Sequence, residues 1–300
     1  MDVVTHAMSG LVLAAPIAPH APVTASAFLL GTVLPDLDAL SRLFGRTAFL
    51  RWHQTWTHSL PAALAAGLLA WGVFAAGGLA EAWAAPALVA GLLLHVLLDL
   101  TNTYGLTPLA PFFRRRTSLN WVFFVDAPVA AVSAGCLVFA AVDVLRAGRF
   151  GAGPAIVLAA FLLGYLPLKW ALRRRALAAA PRDTLDLMPC AFPPWVYTGR
   201  TEERGRARLF RVNALSGRVS PEAEAEILDD AYAAELAAVP EFGIMRELSP
   251  GYHLVCAERA GDETLLTCRD LRTRNFGGNF GELKVALGPG GQVLRRTLRV

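Results

Sequence analysis

The segment LPAALAAGLLAWGVFAAGGLA, residues 60–80, contains 21 consecutive residues without a charged side chain. A helix that crosses the hydrocarbon core of a bilayer needs about 20 apolar residues, because no water is present there to bind the backbone polar groups. The segment therefore predicts a transmembrane helix. The surrounding sequence supports this prediction, since Glu81 and Asp99 are the only Asp, Glu, Lys or Arg residues from position 52 to position 113.

Three further segments predict membrane helices. They are residues 84–100, which are uncharged up to Asp99, residues 121–143, which carry Asp126 and end at Asp143, and residues 152–172, which carry only Lys169. Charged residues make up 17% of the 300-residue chain, whereas soluble domains average about 25%. The alternative, a large buried bundle in a soluble protein, is disfavoured by the length of these apolar runs.

The N-terminal apolar stretch, residues 8–34, is interrupted by Pro16, Pro19 and Pro22. Each half is about 11 residues long, too short to span a bilayer. We therefore predict a helical hairpin that enters the bilayer or packs on the bundle. The opening residues MDVVTH carry no Lys or Arg, so a cleavable signal peptide is not expected.

Basic residues in short loops predict the orientation, because such loops remain on the cytoplasmic side. With four crossings, all three of the main arginine groups fall on one side, and the N-terminus and the C-terminal third lie there too. These groups are Arg42, Arg46 and Arg51, then Arg114–Arg116, then Arg173–Arg175 with Arg182. The net charge of +4 thus reflects topology. No nucleic-acid partner is expected, since no basic face with stacking aromatics is evident.

The C-terminal third has the composition of a soluble domain. PEAEAE, from Pro221, predicts a helix running to about Ala238, and five segments predict strands: 209–214, 252–257, 263–269, 282–287 and 293–300. Four cysteines in 300 residues are too few for a disulfide scaffold, and because they form no CxxC pair a thiolate zinc site is not expected either.

The predicted fold is an all-α multi-pass membrane helical bundle. It has about four transmembrane helices plus the N-terminal hairpin, followed by a small α+β cytoplasmic domain. The expected domains are 1–176, membrane-embedded, 177–205, a linker, and 206–300, the soluble domain.

Histidines and aspartates that could bind a metal concentrate in the first 126 residues. Asp2 and His6, like His95 and Asp99, are four residues apart and share a helix face. The predicted topology puts these pairs at one membrane face, together with Asp36, Asp38, His53, His58 and Asp126. Such ligands suit Zn²⁺, Mn²⁺ or Fe²⁺ more than Ca²⁺. The set exceeds the needs of one ion, so two ions activating water for phosphoester hydrolysis are the natural interpretation.

Several of these residues also have structural explanations. Asp2 and Asp36 could cap helices or form turns, and Asp126 could pair with an arginine of 114–116. Those arginines could act only as topology signals, although one could hold a phosphate. Asn102 and Tyr104 could bind substrate beside the site or only end a helix.

In their order along the chain, the motifs resemble the bacterial inner-membrane metal-dependent hydrolases, a family also described as LexA-binding and inner-membrane-associated. The motifs are AspxxxHis (2–6), LPDLD (34–38), HisxxxxHisSer (53–59), HisxxxAsp (95–99) with TNTYG (101–105), ProPhe (111–112) with the arginine cluster, and WVFFVDAP (121–128). The resemblance covers about residues 1–175. The C-terminal domain also resembles an extension found in one branch, through AspLeuArg at 270–272. The family is distantly similar to zinc-dependent phospholipase C, an all-helical fold with a His/Asp multi-metal site.

The resemblance implies a multi-pass, metal-dependent hydrolase and maps its recurring polar positions onto this chain. We accordingly expect His6, Asp36, His53, His58, His95 and Asp99 as metal ligands. Catalytic roles are expected for Asp38 and Asp126, and substrate contacts for Asn102, Tyr104 and Arg115.

The function predicted from the sequence is a metal-dependent hydrolase of the bacterial inner membrane, with its site at the cytoplasmic face. Zinc is the expected ion, with manganese as an alternative, and the expected partners are the bilayer, a lipid or phosphoester substrate, and a cytoplasmic protein. One rival is a non-catalytic membrane protein whose structural metal site accompanies recruitment of a partner such as LexA. Another is a metal or proton transporter, but residues 60–80 and 152–172 offer almost no polar path.

Overall fold

The computed structural model describes residues 2–78, 81–272 and 281–299. The chain divides into two compact units. The helical unit comprises Met1–Ser41 and Trp52–Ala171, and the β unit comprises Arg42–Arg51 and Leu172–Val300.

Seven helices precede the first strand. A 3-10 helix, Leu34–Phe44, directly continues α2. The helices are α1 (Val3–Ala14), α2 (Pro22–Val33), α3 (Arg46–Trp52), α4 (Leu60–Ala76), α5 (Ala84–Thr101), α6 (Ala127–Ala147) and α7 (Gly153–Ala179). The predicted hairpin is confirmed as α1 and α2, separated by the proline-containing segment.

Four helical segments are long and apolar enough to cross a membrane: Pro22–Phe44, α5, α6 and α7. This differs from the predicted set at two places. The helix predicted over 60–80 ends after 17 residues at Ala76, where Gly77 caps it and Gly78 adopts a left-handed φ of 62°; residues 79–80 lie outside the described part of the chain. In contrast, α2 runs on through Pro35 because its continuation tightens into a 3-10 helix.

Asp2 and Glu81 are acidic residues that cap helices of this unit. The carboxylate of Asp2 accepts hydrogen bonds from the backbone N–H and hydroxyl of Thr5, which fixes the start of α1. Glu81, in the turn between α4 and α5, accepts from the backbone N–H groups of Val23 and Thr24 and so caps α2. Asp2, considered above with His6 as a possible site residue, therefore has a structural role.

Helices α2 and α5 pack closely where they cross, at Gly31 and Gly91. A side chain at Gly31 would place its Cβ 2.3 Å from the carbonyl oxygen of Leu88, and one at Gly91 would place its Cβ 2.2 Å from that of Phe28. Backbones this close require glycine on both sides. The crossing matters for function because α5 and the end of α2 carry candidate metal ligands.

The β unit contains two four-stranded antiparallel sheets, each with its strands in sequence order. The first holds β1 (Asp186–Pro189), β2 (Val196–Glu203), β3 (Arg206–Asn213) and β4 (Val219–Glu226). The second holds β5 (Tyr252–Ala260), β6 (Glu263–Asp270), β7 (Leu283–Leu287) and β8 (Val293–Leu298). Two short helices, α8 (Ala233–Ala237) and α9 (Pro240–Leu248), lie between the sheets in sequence. The five strands expected from the sequence are confirmed as β3 and β5–β8.

The predicted helix from Pro221 is wrong, because residues 219–226 form strand β4. The alternation of apolar and charged side chains along these residues favours the strand. Ala223 and Ala225 pack on a small apolar cluster with Leu209. The glutamates that alternate with them pair with arginines of β3, Glu222 with Arg211 at 2.7 Å and Glu224 with Arg208 at 3.5 Å. Period-two burial with cross-strand ion pairs favours a strand over the helix suggested by composition.

The expected domain bounds also differ from the structure. The segment 177–205, predicted as a linker, contains the end of α7 and strands β1 and β2. Residues 42–51, predicted within the membrane domain, belong to the β unit. There Leu50 packs into the apolar core of the second sheet, and Arg46 hydrogen-bonds the carbonyl of Leu298.

Candidate metal centre

Four buried side chains converge inside the helical unit: Asp36, His58, His95 and Asp99, called the cluster below. Their ligand-type atoms all lie within 4.8 Å of one another. The Nε2 of His58 is 3.4 Å from Asp36 Oδ1 and 3.4 Å from Asp99 Oδ2. The Nε2 of His95 lies 3.8 Å and 3.5 Å from the same two oxygens. Two nitrogens and two carboxylates therefore face a common centre.

Three pieces of local structure bring the cluster together. Asp36 lies in the first turn of the 3-10 helix that continues α2. His58 immediately precedes Ser59, the N-cap of α4. His95 and Asp99 are one turn apart on α5, on the side that faces α2. The close α2–α5 crossing thus sets the separation between Asp36 and the α5 pair.

Hydrogen bonds fix the orientation of both imidazoles. The Nδ1–H of His95 donates to the carbonyl oxygen of Thr32, 2.8 Å away. The Nδ1 of His58 lies 3.0 Å from the Thr57 hydroxyl and 3.3 Å from Asp38 Oδ2. A hydrogen on each Nδ1 leaves the Nε2 lone pair directed at the cluster, the arrangement that typically supports metal-binding histidines.

The cluster fits a divalent cation. The nitrogen–oxygen separations of 3.4–3.8 Å resemble the edge of a tetrahedral site, about 3.3–3.6 Å for bonds of 2.0–2.2 Å. Among the described residues, the Nε2 of His95 and the Oδ2 of Asp36 have no hydrogen-bond partner, and the Nε2 of His58 has only the 3.4 Å contacts given above. Buried polar atoms in that state are costly, and two carboxylates with two neutral imidazoles balance a charge of +2. The cluster could therefore hold a metal ion.

Proton and metal compete for the His58 imidazole. Its burial lowers the pKa, but the hydrogen bonds and charges of Asp36 and Asp38 outweigh burial, so the pKa of His58 is raised above its ordinary value. A cation must displace that proton from Nε2 to bind there.

The other three predicted ligand or catalytic residues of this region surround the cluster. His6 Nε2 lies 3.1 Å from Asp99 Oδ1, and its ring stacks on His95 with centroids 3.8 Å apart. Asp38 joins His58 to His53, whose Nδ1 is 2.6 Å from Asp38 Oδ1. The side chain of His53 is 28% exposed, whereas Asp38 is 6% exposed. The Asp38–His53 pair therefore extends from the buried cluster towards solvent.

Asp126 lies apart from these residues. It is the N-cap of α6, where Oδ1 accepts from the backbone N–H of Val129 and from the Tyr165 hydroxyl, 2.9 Å away. The contacts described for Asp126 are with Phe123, α6 and α7 and not with the cluster. Its expected catalytic role is not supported by this position, and the Asp-Ala-Pro sequence is typical of a helix start.

The three predicted substrate-binding residues have different positions. Asn102 Nδ2 donates to Asp99 Oδ1 at 3.1 Å, and its Oδ1 accepts from the backbone N–H groups of Tyr104 and Gly105. Asn102 thus orients a cluster residue and closes a turn. The Tyr104 ring packs against Phe124. Arg115 is exposed and makes no hydrogen bond or ion pair with any residue in the described part of the chain.

Two supporting groups were missed in the sequence. Arg116 donates to the carbonyls of Tyr104 and Gly105, at 3.0 and 2.9 Å, and reaches the carbonyl of His53 at 3.4 Å. Its neighbours Arg114 and Arg115 are exposed, and nothing in the triplet distinguishes the inward-facing member. The second is the Thr32 carbonyl, a backbone group that every residue carries and no pattern could indicate.

The sequence profile of the YdjM inner membrane protein family matches residues 1–176. This chain belongs to the YdjM inner membrane protein family. The matched range contains the whole cluster together with His6, Asp38 and His53. The inner-membrane part of the resemblance is thereby confirmed, while hydrolase activity, LexA binding and similarity to phospholipase C stay predictions.

One curated relative of this YdjM family chain is "Uncharacterized protein YfhP" of Bacillus subtilis (strain 168), with 26% identity over 139 residues. The alignment covers 42% of either chain, so less than half of the relative's length is represented here. No solved structure matches the chain.

Proposed function

We propose that this YdjM family chain is a metal-dependent hydrolase that uses the cluster as its metal site. One observation carries the proposal. Two histidines, each held through Nδ1, direct their Nε2 atoms at two buried carboxylates across 3.4–3.8 Å. Zinc is the proposed ion and manganese the alternative, because both accept imidazole and carboxylate ligands.

The surroundings of the cluster favour catalysis. A bound divalent ion would supply a water of lowered pKa and polarise a phosphoryl oxygen. The chain's own contribution is the Asp38–His53 pair, in which a 2.6 Å hydrogen bond links a buried carboxylate to a partly exposed imidazole. We assign proton transfer between the site and solvent to this pair. His6 and Asn102 hold Asp99 in position through its Oδ1.

The proposed substrate is a phosphoester, carried by a lipid or linked to one. Membership of an inner membrane family supports a lipid substrate, and the exposed Arg114 and Arg115 offer charges that complement a phosphate. The arginine distribution along the chain supports a cytoplasmic position for the site and the β unit.

A second candidate is a structural metal site in a protein that recruits a cytoplasmic partner. The burial of the cluster favours it, because His58, His95 and Asp99 are fully buried and Asp36 is 7% exposed, and closed sites are typical of structural metals.

One set of measurements on the full chain, purified in detergent, distinguishes the hydrolase from the structural metal site. Zinc and manganese are measured by elemental analysis, and turnover is measured on bis(p-nitrophenyl) phosphate and on short-chain phosphatidylglycerol. We expect one or more ions per chain, lost in His95→Gln and Asp99→Asn. His53→Gln should keep the metal and lose turnover by about 10²–10⁴-fold. His20→Gln, an exposed histidine in the α1–α2 turn, is the matched control.

Each of the other outcomes excludes a proposal. Stoichiometric metal without turnover in the wild type would contradict the hydrolase and support the structural metal. A wild-type chain without metal after supplementation would contradict both.

A further inference from the structure

The loop between α5 and α6 carries a segment, Pro108–Arg115, called the tip, in which Leu109 and residues 111–115 are exposed and Ala110 is buried. Phe112 and Phe113 are 74% and 64% exposed, and Leu109 is 45% exposed. Directly after them, the exposed Arg114 and Arg115 make no hydrogen bond or ion pair with the residues that the structure describes. An apolar aromatic surface and two uncompensated positive charges therefore occupy adjacent positions on one loop.

The base of this loop is firmly held. Leu106 and Thr117 form a two-way backbone bridge, with N–O distances of 3.0 and 2.8 Å. Arg116, the third arginine, points inward and binds the carbonyls of Tyr104 and Gly105. The carbonyl of Pro108 accepts from the N–H of Leu60 at 2.9 Å. The two ends of the tip are thus fixed by the fold.

We propose that the tip Pro108–Arg115 is a binding element for anionic phospholipid headgroups. In a protein of an inner membrane family, a bilayer interface is the available surface that can accept phenylalanine rings and arginines together. The rings would enter the boundary between headgroups and acyl chains, while the two guanidinium groups pair with lipid phosphates. A loop that served only as a topology signal would need the arginines but not the exposed aromatic pair.

The tip also adjoins the segment that leads to the cluster. Arg116 reaches the carbonyl of His53 and the side chain of Gln54, each at 3.4 Å, and the neighbouring Trp56 is 56% exposed. Lipid binding at the tip would hold a headgroup beside the exposed edge of the His53–Asp38 pair. The binding itself does not depend on the proposed hydrolase activity and should persist in His95→Gln.

The experiment titrates the detergent-purified full chain with short-chain lipids and counts bound lipids by native mass spectrometry. The probes are dioctanoyl phosphatidylglycerol, dioctanoyl phosphatidylcholine and glycerol phosphate. We expect the wild type to bind phosphatidylglycerol in preference to phosphatidylcholine. Arg114→Gln/Arg115→Gln should weaken phosphatidylglycerol binding about 30-fold, from roughly fivefold per arginine. Phe112→Ala/Phe113→Ala should weaken the binding of both phosphatidylglycerol and phosphatidylcholine.

The matched control is Arg146→Gln/Arg149→Gln, which removes the same charge from two exposed arginines near the α6–α7 turn. It should leave lipid binding unchanged. Equal binding of the two lipids by the wild type, or equal losses in the two arginine variants, would overturn the proposal. Competition by glycerol phosphate as strong as that by phosphatidylglycerol would also overturn it, because the tip would then be a site for free phosphates.

Discussion

Asp38 holds two histidines of different exposure with one carboxylate. Its Oδ1 binds His53 and its Oδ2 lies 3.3 Å from His58 Nδ1 and accepts from the Thr57 hydroxyl. Outer hydrogen bonds of this kind raise the basicity of a ligand imidazole and hold its orientation. The effect of Asp38 on a bound metal therefore reaches the cluster through His58 alone.

Asp38→Asn should weaken metal binding by about 10–100-fold without abolishing it, because the carboxylate charge behind His58 is lost while all four cluster residues remain. Competition with a chromophoric chelator measures the change in affinity. Asp183→Asn, at an exposed position, is the control. Unchanged affinity in Asp38→Asn would show that Asp38 does not support the metal ligand.

In the β unit, Asp229 is a carboxylate that likewise binds a histidine, since its Oδ2 lies 2.9 Å from His253 Nδ1. Burial raises the pKa of its carboxyl, but hydrogen bonds from His253 and the Leu254 N–H, with the charge of Arg246, outweigh it and lower the pKa below the ordinary value. A lowered folded-state pKa stabilises the fold above the unfolded-state pKa, about 3.9, and this contribution is lost as the pH falls through the folded-state value.

Asp229→Asn should therefore destabilise the β unit at pH 7, by about 1–2 kcal/mol, and the difference from the wild type should shrink below about pH 4. Hydrogen exchange in peptides from β5 and β6 of the full chain measures it. Asp262→Asn, in the exposed β5–β6 turn, should behave as the wild type. A difference that persists undiminished at pH 3 would contradict this account.

At the scale of elements, the α2–α5 crossing controls the cluster. Gly31→Ala and Gly91→Ala would each place a methyl group within 2.3 Å of an opposing carbonyl oxygen. The helices must then separate, at a cost of about 1–3 kcal/mol, and the contact between His95 Nδ1 and the Thr32 carbonyl must lengthen. We expect both variants to unfold at lower temperature and to bind metal more weakly.

Thermal unfolding in detergent and metal stoichiometry test this prediction. The control is Gly164→Ala on α7, where an added Cβ meets no atom within 4 Å. Replacing glycine in a helix with alanine generally stabilises it, so Gly164→Ala should not lower the unfolding temperature. If Gly31→Ala behaves in the same way, the crossing is not constrained by glycine.

Elements with a single strong pattern could be predicted, and those with competing patterns could not. The apolar runs predicted α5, α6 and α7, since the absence of charge over such lengths has few structural solutions. The exceptions are the start of α6, which lies at Ala127 and not at residue 121 because Asp126 caps the helix, and the C-terminal extension of α7. The prediction failed at strand β4 because the sequence PEAEAE fits both an acidic helix start and the two-residue alternation of a strand. Only pairing with Arg208 and Arg211 on β3 decides between them, and that partner is not visible in the local sequence.

At the scale of the whole molecule, the chain has two units with separate cores, and all four cluster residues belong to the helical unit. Metal removal should therefore act on that unit. A ligand at 100 times its Kd stabilises the folded state by about 2.7 kcal/mol. Removing the metal with a chelator should therefore lower the free energy of protection against hydrogen exchange by an amount of that order.

Hydrogen exchange of the full chain, before and after treatment with a chelator, measures this effect. Exchange should rise in peptides from α5 and remain unchanged in peptides from β5 and β6. Restored protection after zinc is added back serves as the control for chelator artefacts. Unchanged exchange in α5 would mean that no stabilising metal is bound there.

The sequence identified the chemistry of the site more completely than its geometry. All four cluster residues were among the six predicted ligands, because intramembrane histidines and aspartates are costly and stand out. The remaining two, His6 and His53, touch the cluster or Asp38, while Asp126 caps a helix. Which residues converge depends on how far α2 and α5 approach, and that distance follows from Gly31 and Gly91 meeting across the interface.

The order of the ligands along the chain has a consequence for biosynthesis. All four lie between positions 36 and 99, within the first third of 300 residues. All four cluster ligands therefore leave the ribosome before α7 and strands β1–β8 of the β unit do. If the cluster holds a metal as proposed, the ion can be captured during membrane insertion, before α7 is in place.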